Sequence, residues 1–196
     1  MMAKQKGKAM KKTTRFWNLI ANHYAKQPVA DQASYERKLE ITRDYLKPDM
    51  SVFEFGCGTG STAIAHAPYV KQILATDISP KMIDIAQSKA EAAGVNNINF
   101  VCAAIDDYDI ADASQDVVMA HSILHLVENK QAIIQRVHQI LKPDGLFITS
   151  TACIGDMGWG YKLMGLLMPI GAALGVLPMV KVFTEQELTN TITEAG

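Results

Sequence analysis

The chain has 196 residues, 48% of them hydrophobic, and a formal net charge of -1. That is enough apolar material for one domain with its own core and too little for a second full domain. The near-neutral charge excludes a chain that holds nucleic acid as a general polycation. The charge is uneven, however: Lys4, Lys6, Lys8, Lys11, Lys12 and Arg15 crowd the first fifteen residues without an acid among them. No apolar run follows them directly, which is not the pattern of a secretory leader. Residues 1–13 are therefore expected to form a disordered basic tail, with contact to anionic lipid or nucleic acid as the sharper reading. Cys57, Cys102 and Cys153 are odd in number and far apart. This argues against a disulfide framework and against a zinc site, and fits a reducing cytoplasm.

In chain order, residues 14–47 hold two helices. The first spans about 14–27, with Phe16, Leu19, Ile20 and His23 or Tyr24 on one side, and ends at Pro28. The second spans about 31–46, before the turn Lys47-Pro48-Asp49. Strand and helix then alternate. "SVFEF" reads as a strand running into glycines, and "TAIAHA" opens a helix. "QILATD" is a second strand, ending at Asp77. The next helix has Ser79 as its cap, Pro80 in its first turn and Gly94 at its end. "INFVCA" is a third strand and "DVVMAH" a fourth. A helix over about 129–141 follows, then the turn "KPDG" and a fifth strand, "LFITST". Apolar strands alternating with helices imply a doubly wound α/β fold with a mostly parallel sheet. Ligands of such sheets bind at the carboxyl ends of the strands.

The stretch "FEFGCGTGS" (residues 53–61) spaces its glycines as G-x-G-x-G, with Ser61 where a dinucleotide fingerprint carries its third glycine. Glu54 sharpens the reading. A carboxylate there raises the energy of a bound pyrophosphate and lowers that of an ammonium. Asp77, ending the next strand, can accept hydrogen bonds from both hydroxyls of a ribose. An amino-acid end joined to a ribose without phosphate describes S-adenosylmethionine.

With these motifs the chain resembles the class I S-adenosylmethionine-dependent methyltransferases, and within them the small-molecule group that includes the quinone-biosynthesis C-methyltransferases. The resemblance covers 16–196 and runs through "FEFGCGTGS", "ATDISPKMI", "FVCAAIDDY", "DVVMAHSILHLVEN" and "LKPDGLFIT" in the family's order. It implies a Rossmann-like methyltransferase domain over 14–196 and S-adenosylmethionine as cofactor. By position, Gly56, Gly58 and Gly60 would let the backbone approach the methionine part. Glu54 would hold the ammonium indirectly, Asp77 the ribose, and Ile78 and Ile105 would flank the adenine. Ala104 stands where the family often has an aspartate at the adenine amino group, and Asp106 is a substitute if the loop shifts. The family sheet finishes with two further strands that this sequence does not reach. Either the sequence is cut short of them, or the fifth strand is left as an exposed edge, with reduced stability or self-association through that edge as the expectation.

Methyl transfer from a sulfonium is an in-line displacement, so the protein mainly aligns and dries the reacting atoms. His121, at the end of the fourth strand, is the candidate base; a pocket wall or a backbone hydrogen bond is the plainer reading. His125 lies one helical turn on. Tyr24 either closes over the methionine end or simply packs its helix. Residues 154–183 change character: "LMGLLMPIGAALGVLPMV" carries no charge, yet Pro169, Pro178 and three glycines argue against a transmembrane helix. This segment is read as an apolar helical cap, with Met157, Met164, Met168, Met179, Trp159 and Tyr161 facing either an acceptor pocket or only their own domain. The pocket reading gives a small, apolar or lipid-like acceptor, no nucleic acid, and peripheral membrane contact through the basic tail. Thr184 and Glu187 are spaced as a capping box for a last helix. The rival readings are a non-catalytic S-adenosylmethionine-binding module or partner subunit, and a nicotinamide oxidoreductase, which Glu54 and Ser61 oppose.

Overall fold

The computed structural model describes residues 2–29, 31–151, 153–156 and 180–195. Five strands, β1 (Ser51–Phe55), β2 (Gln72–Asp77), β3 (Ile98–Cys102), β4 (Gln115–His121) and β5 (Leu141–Ser150), form one sheet in the order β3-β2-β1-β4-β5. Every neighbouring pair is parallel. The chain winds outward from β1 to β3, then returns to lay β4 on the other side of β1. The order thus reverses between β1 and β4, and their carboxyl ends flank the crevice where such sheets take ligands.

Among the described residues, six α-helices accompany the sheet: α1 (Met2–Tyr24), α2 (Gln32–Arg43), α3 (Ser61–His66), α4 (Pro80–Ala92), α5 (Lys130–Ile140) and α6 (Glu185–Ala195). Alternation along the strands splits the core between the two faces. Phe53, Phe55, Val118 and Ala120 pack with Ile133, Ile134, Val137 and Ile140 of α5 and Leu188 of α6. Val52, Ile73, Val117 and Met119 pack with Ala63 of α3 and Ile83 of α4 on the opposite face. This parity aims Glu54 and His121 at the α3 side, because each continues the series that begins with Val52 or Val117.

The local signals act as expected at several boundaries. Ser79 caps α4, its side chain accepting from Met82 N, and Gly94 follows the helix at a φ of 67°. Asn129 caps α5 in the same way. Ahead of α6, Thr184 N donates to Glu187 Oε2 at 2.8 Å and Glu187 N to Thr184 Oγ1 at 3.1 Å, a complete capping box.

Two expectations change. Residues 2–13, expected as a disordered tail, continue α1: lysine, alanine, glutamine and methionine are strong helix formers, and no proline interrupts them. "KPDG" is not a turn before β5 but a bulge inside it, where the partner of Gln115 is Leu141 and that of Val117 is Leu146. Pro143 has no N–H for the ladder, and the Asp116 carboxylate fastens the irregular stretch through Lys142 Nζ at 2.8 Å and β1 through Ser51 N at 2.8 Å. Among the described residues the sheet is parallel throughout, as the doubly wound fold leads one to expect, and β5 is an outer strand. Most of the expected cap, including its methionines, Trp159 and Tyr161, lies outside the described residues. Among those described, no helix is long and apolar enough to cross a membrane.

Candidate functional site

The turn after β1 carries Gly56, Gly58 and Gly60 at positive φ. Space explains two of them. A Cβ at Gly56 would stand 2.5 Å from Ile123 Cγ1, and one at Gly60 2.8 Å from Ala86 Cβ. Gly58 is different: at a φ of 54° a Cβ would meet nothing within 4 Å. Its conformation demands glycine, and its outer side is left open for a ligand to approach the backbone.

Asp77 ends β2 beside this turn. Gly58 N donates to its Oδ2 at 2.9 Å and Ser79 N to its Oδ1 at 2.8 Å. Each oxygen retains a lone pair, so the carboxylate is oriented but not exhausted. Burial raises its pKa, while the two N–H donors pull it back down.

Glu54 is 2% exposed, and its Oε2 has no hydrogen-bond partner. Burial pushes its pKa up to about 8, against the pull of the Lys38 ammonium and with the push of Asp77. Lys38 and Tyr35 come from α2, with the Lys38 ammonium over the Tyr35 ring at 4.7 Å. The Tyr35 phenol sits among Thr62, Glu54 and Tyr24. Tyr24 is half exposed at the end of α1, edge-on to Trp17.

His121 is buried where β4 ends. Its Nδ1 lies 3.1 Å from Ser150 Oγ, and its Nε2 has no partner. Burial brings its pKa down to about 3, helped by Lys38 and His66. An imidazole that is neutral at pH 7 and so weakly basic suits hydrogen bonding better than proton abstraction. The His125 Nδ1 pairs likewise with Thr151 Oγ1 at 3.1 Å, and Lys181 N donates to the His125 carbonyl at 2.7 Å.

At the expected adenine end, Ile78 is partly exposed just after β2, and Ala104 is partly exposed after β3. Ile105 is buried in the core with Phe53 and Phe55. Asp106 is exposed. Among the described residues no group of acids, histidines and cysteines could hold a metal ion.

Three residues at the site carry no motif. Lys38 reads as a solvent-facing helix lysine, and only its place beside Leu39 on the inward face of α2 hints otherwise. Tyr35 reads as one more apolar residue of that helix. Asn18 of α1 accepts from Ser79 Oγ at 2.6 Å, which ties the first helix to the cap of α4. No sequence pattern marks it.

Taken together, a buried acid with an open oxygen, an oriented acid one strand away and a turn bare at Gly58 fit an adenosyl group joined to an amino acid. A diphosphate would lie against Glu54 and is disfavoured. The fold is a doubly wound α/β domain with these residues gathered at the carboxyl ends of its central strands. Residues 52–145 match the family described as methyltransferase domain, in line with the resemblance to the class I S-adenosylmethionine-dependent methyltransferases carried by the sequence motifs. The chain is 30% identical over 110 residues to the methyltransferase YcgJ of Bacillus subtilis, covering 56% of this chain and 44% of that protein. It is 34% identical over 99 residues to the tRNA 5-carboxymethoxyuridine methyltransferase of Escherichia coli, covering 50% of this chain and 38% of that one. The matches thus span less than half of either relative. The crystal structure of YcgJ superposes with a TM-score of 0.70 at 19% identity, over 82% of this chain and 68% of the other. These relatives do not bear out the finer resemblance to the quinone-biosynthesis group.

Proposed function

We propose that this protein transfers the methyl group of S-adenosylmethionine to a small acceptor with an apolar body. The observation that carries the reading is Glu54, buried with Oε2 unpartnered, one strand from the doubly anchored carboxylate of Asp77. Glu54 would hold the ammonium end and Asp77 the ribose hydroxyls. Ile78 would lie against the adenine, and Ala104 would leave room beside it. The bound cofactor supplies an electrophilic methyl on a sulfonium, a leaving group that needs no protein acid. The Nε2 of His121, held from behind by Ser150, would orient the acceptor by a hydrogen bond.

The apolar acceptor rests on the segment between β5 and α6. Both of its ends are tied beside the site: His121 and His125 bond the end of β5 through Ser150 and Thr151, and Lys181 N returns to the His125 carbonyl. In the sequence, the uncharged stretch 163–180 falls between these two points. A second reading, an RNA acceptor, is favoured by the tRNA-modifying relative and the basic first helix.

Incubation with methyl-labelled S-adenosylmethionine, once with an organic-solvent extract of metabolites and once with bulk tRNA, separates the readings. Label in the extract is the expected result. Label in tRNA alone replaces the apolar acceptor by RNA, and cofactor binding without any transfer indicates a non-catalytic module.

A further inference from the structure

Glu54 lies in the central strand of the sheet, 2% exposed, with Oε2 lacking any donor. The charged and titratable groups around it are few. Lys38 and Tyr35 face it from α2, Asp77 from β2, and Cys57 lies in the adjoining turn. The Lys38 ammonium sits over the Tyr35 ring, 4.7 Å from its centroid, and not within ion-pair distance of the carboxyl group. Asp77 is a second acid, already committed to two backbone donors. An ionised carboxylate with an oxygen lacking a donor is costly in such a place. A proton removes that cost, and so does a cation of the right shape.

We propose that Glu54 carries a proton in the ligand-free protein and exchanges it for the cofactor's α-ammonium group. This rests on the cofactor reading above and adds to it a coupled proton. On binding, the O–H bond of the carboxyl group breaks, the proton passes to the solvent buffer, Glu54 changes from neutral to anionic, and the ammonium keeps its own protons. Glu54 thereby becomes a specificity device. A nucleoside thioether without the amino-acid end cannot replace the proton, so it binds without releasing one. Ligands that carry the ammonium bind more tightly as pH rises, until Glu54 is ionised without help.

The test is calorimetry at pH 7 with S-adenosylhomocysteine and with methylthioadenosine, which shares the nucleoside and sulfur but lacks the ammonium. Each is titrated in phosphate and in Tris, whose ionisation enthalpies differ. The expected result is release of about one proton per S-adenosylhomocysteine and none with methylthioadenosine. S-adenosylhomocysteine affinity should rise roughly tenfold from pH 6 to pH 7, the linkage limit for one proton. Glu54→Gln should bind methylthioadenosine as the wild type does, bind S-adenosylhomocysteine more weakly, and release no proton. Binding of S-adenosylhomocysteine with no proton released, or equal release with both compounds, overturns the exchange while leaving the cofactor site intact. Failure of both compounds to bind the wild type overturns the site and the exchange together.

Discussion

The backbone N–H of Gly58 donates to Asp77 Oδ2 at 2.9 Å, so the turn that follows β1 is fastened to the acid that ends β2. One side chain thus shapes the glycine turn and offers lone pairs to a ligand. Asp77→Ala is expected to lower S-adenosylhomocysteine affinity by at least about tenfold, since a charged acceptor is worth roughly 1.5–3 kcal/mol. It should also lower Tm by several degrees, because Gly58 N and Ser79 N lose their acceptor. Asp77→Asn keeps the shape and one acceptor oxygen, so its Tm should fall less than that of Asp77→Ala. Thermal melts and calorimetry of the two variants check this ranking.

Gly58 and Gly60 should respond differently to the same change. Gly60→Ala sets a Cβ 2.8 Å from Ala86 and close to Phe100, at a φ of 72°. It is expected to destabilise the fold by about 1–3 kcal/mol. Gly58→Ala meets no protein atom, so its stability cost is only the backbone strain of about 1 kcal/mol. Its methyl group enters the open space proposed above for the cofactor, and its affinity loss should exceed its stability loss. Chemical denaturation alongside ligand titration separates the two effects.

Stability should peak near neutral pH, with different groups limiting each side. Between the ordinary glutamate value of 4.5 and about 8, folded Glu54 holds a proton that the unfolded chain has lost. Stability therefore falls as pH rises through that window. His66 and His121 act in the opposite sense. Burial lowers them to about 4 and about 3 from 6.5, so their contribution is complete above 6.5 and is lost as pH falls toward those values. Glu54→Gln is expected to gain on the order of 1–3 kcal/mol over the wild type at pH 8, and nothing near pH 4.5. Urea unfolding across pH 4.5–8.5 measures it. A stabilising change that weakens cofactor binding would mark Glu54 as a residue kept for function.

Much of this fold and part of this site could be read from the residues. Ser79, Pro80 and Gly94 mark α4 by cap chemistry that tertiary contacts do not override. Glu54 and Asp77 stand out because an acid beside a glycine turn has an electrostatic meaning. The bulge in β5 was hidden because Lys142-Pro143-Asp144-Gly145 has the composition of a turn, and only the long-range bond from Asp116 reveals that it lies within the sheet. The burial of Ile105 with Phe53 and Phe55 was not legible, because it depends on how the loop after β3 folds onto the sheet and not on a local pattern. Lys38 and Asn18 owe their positions to how α1 and α2 dock, which no local pattern encodes.

The capping box of α6 gives a test of the part of the chain that follows the apolar segment. Thr184→Ala removes the Oγ1 acceptor of Glu187 N, and Glu187→Ala the acceptor of Thr184 N. Each should cost about 1 kcal/mol, and the double variant less than the sum, since the two bonds brace one another. A double-mutant cycle by urea unfolding checks the coupling.

The most direct test is a crystal structure of the protein soaked with S-adenosylhomocysteine. The ribose hydroxyls are expected within about 3 Å of the Asp77 oxygens, and the ammonium directed at Glu54, in contact or through one water. A crevice that stays empty at saturating ligand, or a diphosphate lying along the Gly56–Gly60 turn after a parallel soak with a dinucleotide, would contradict the account.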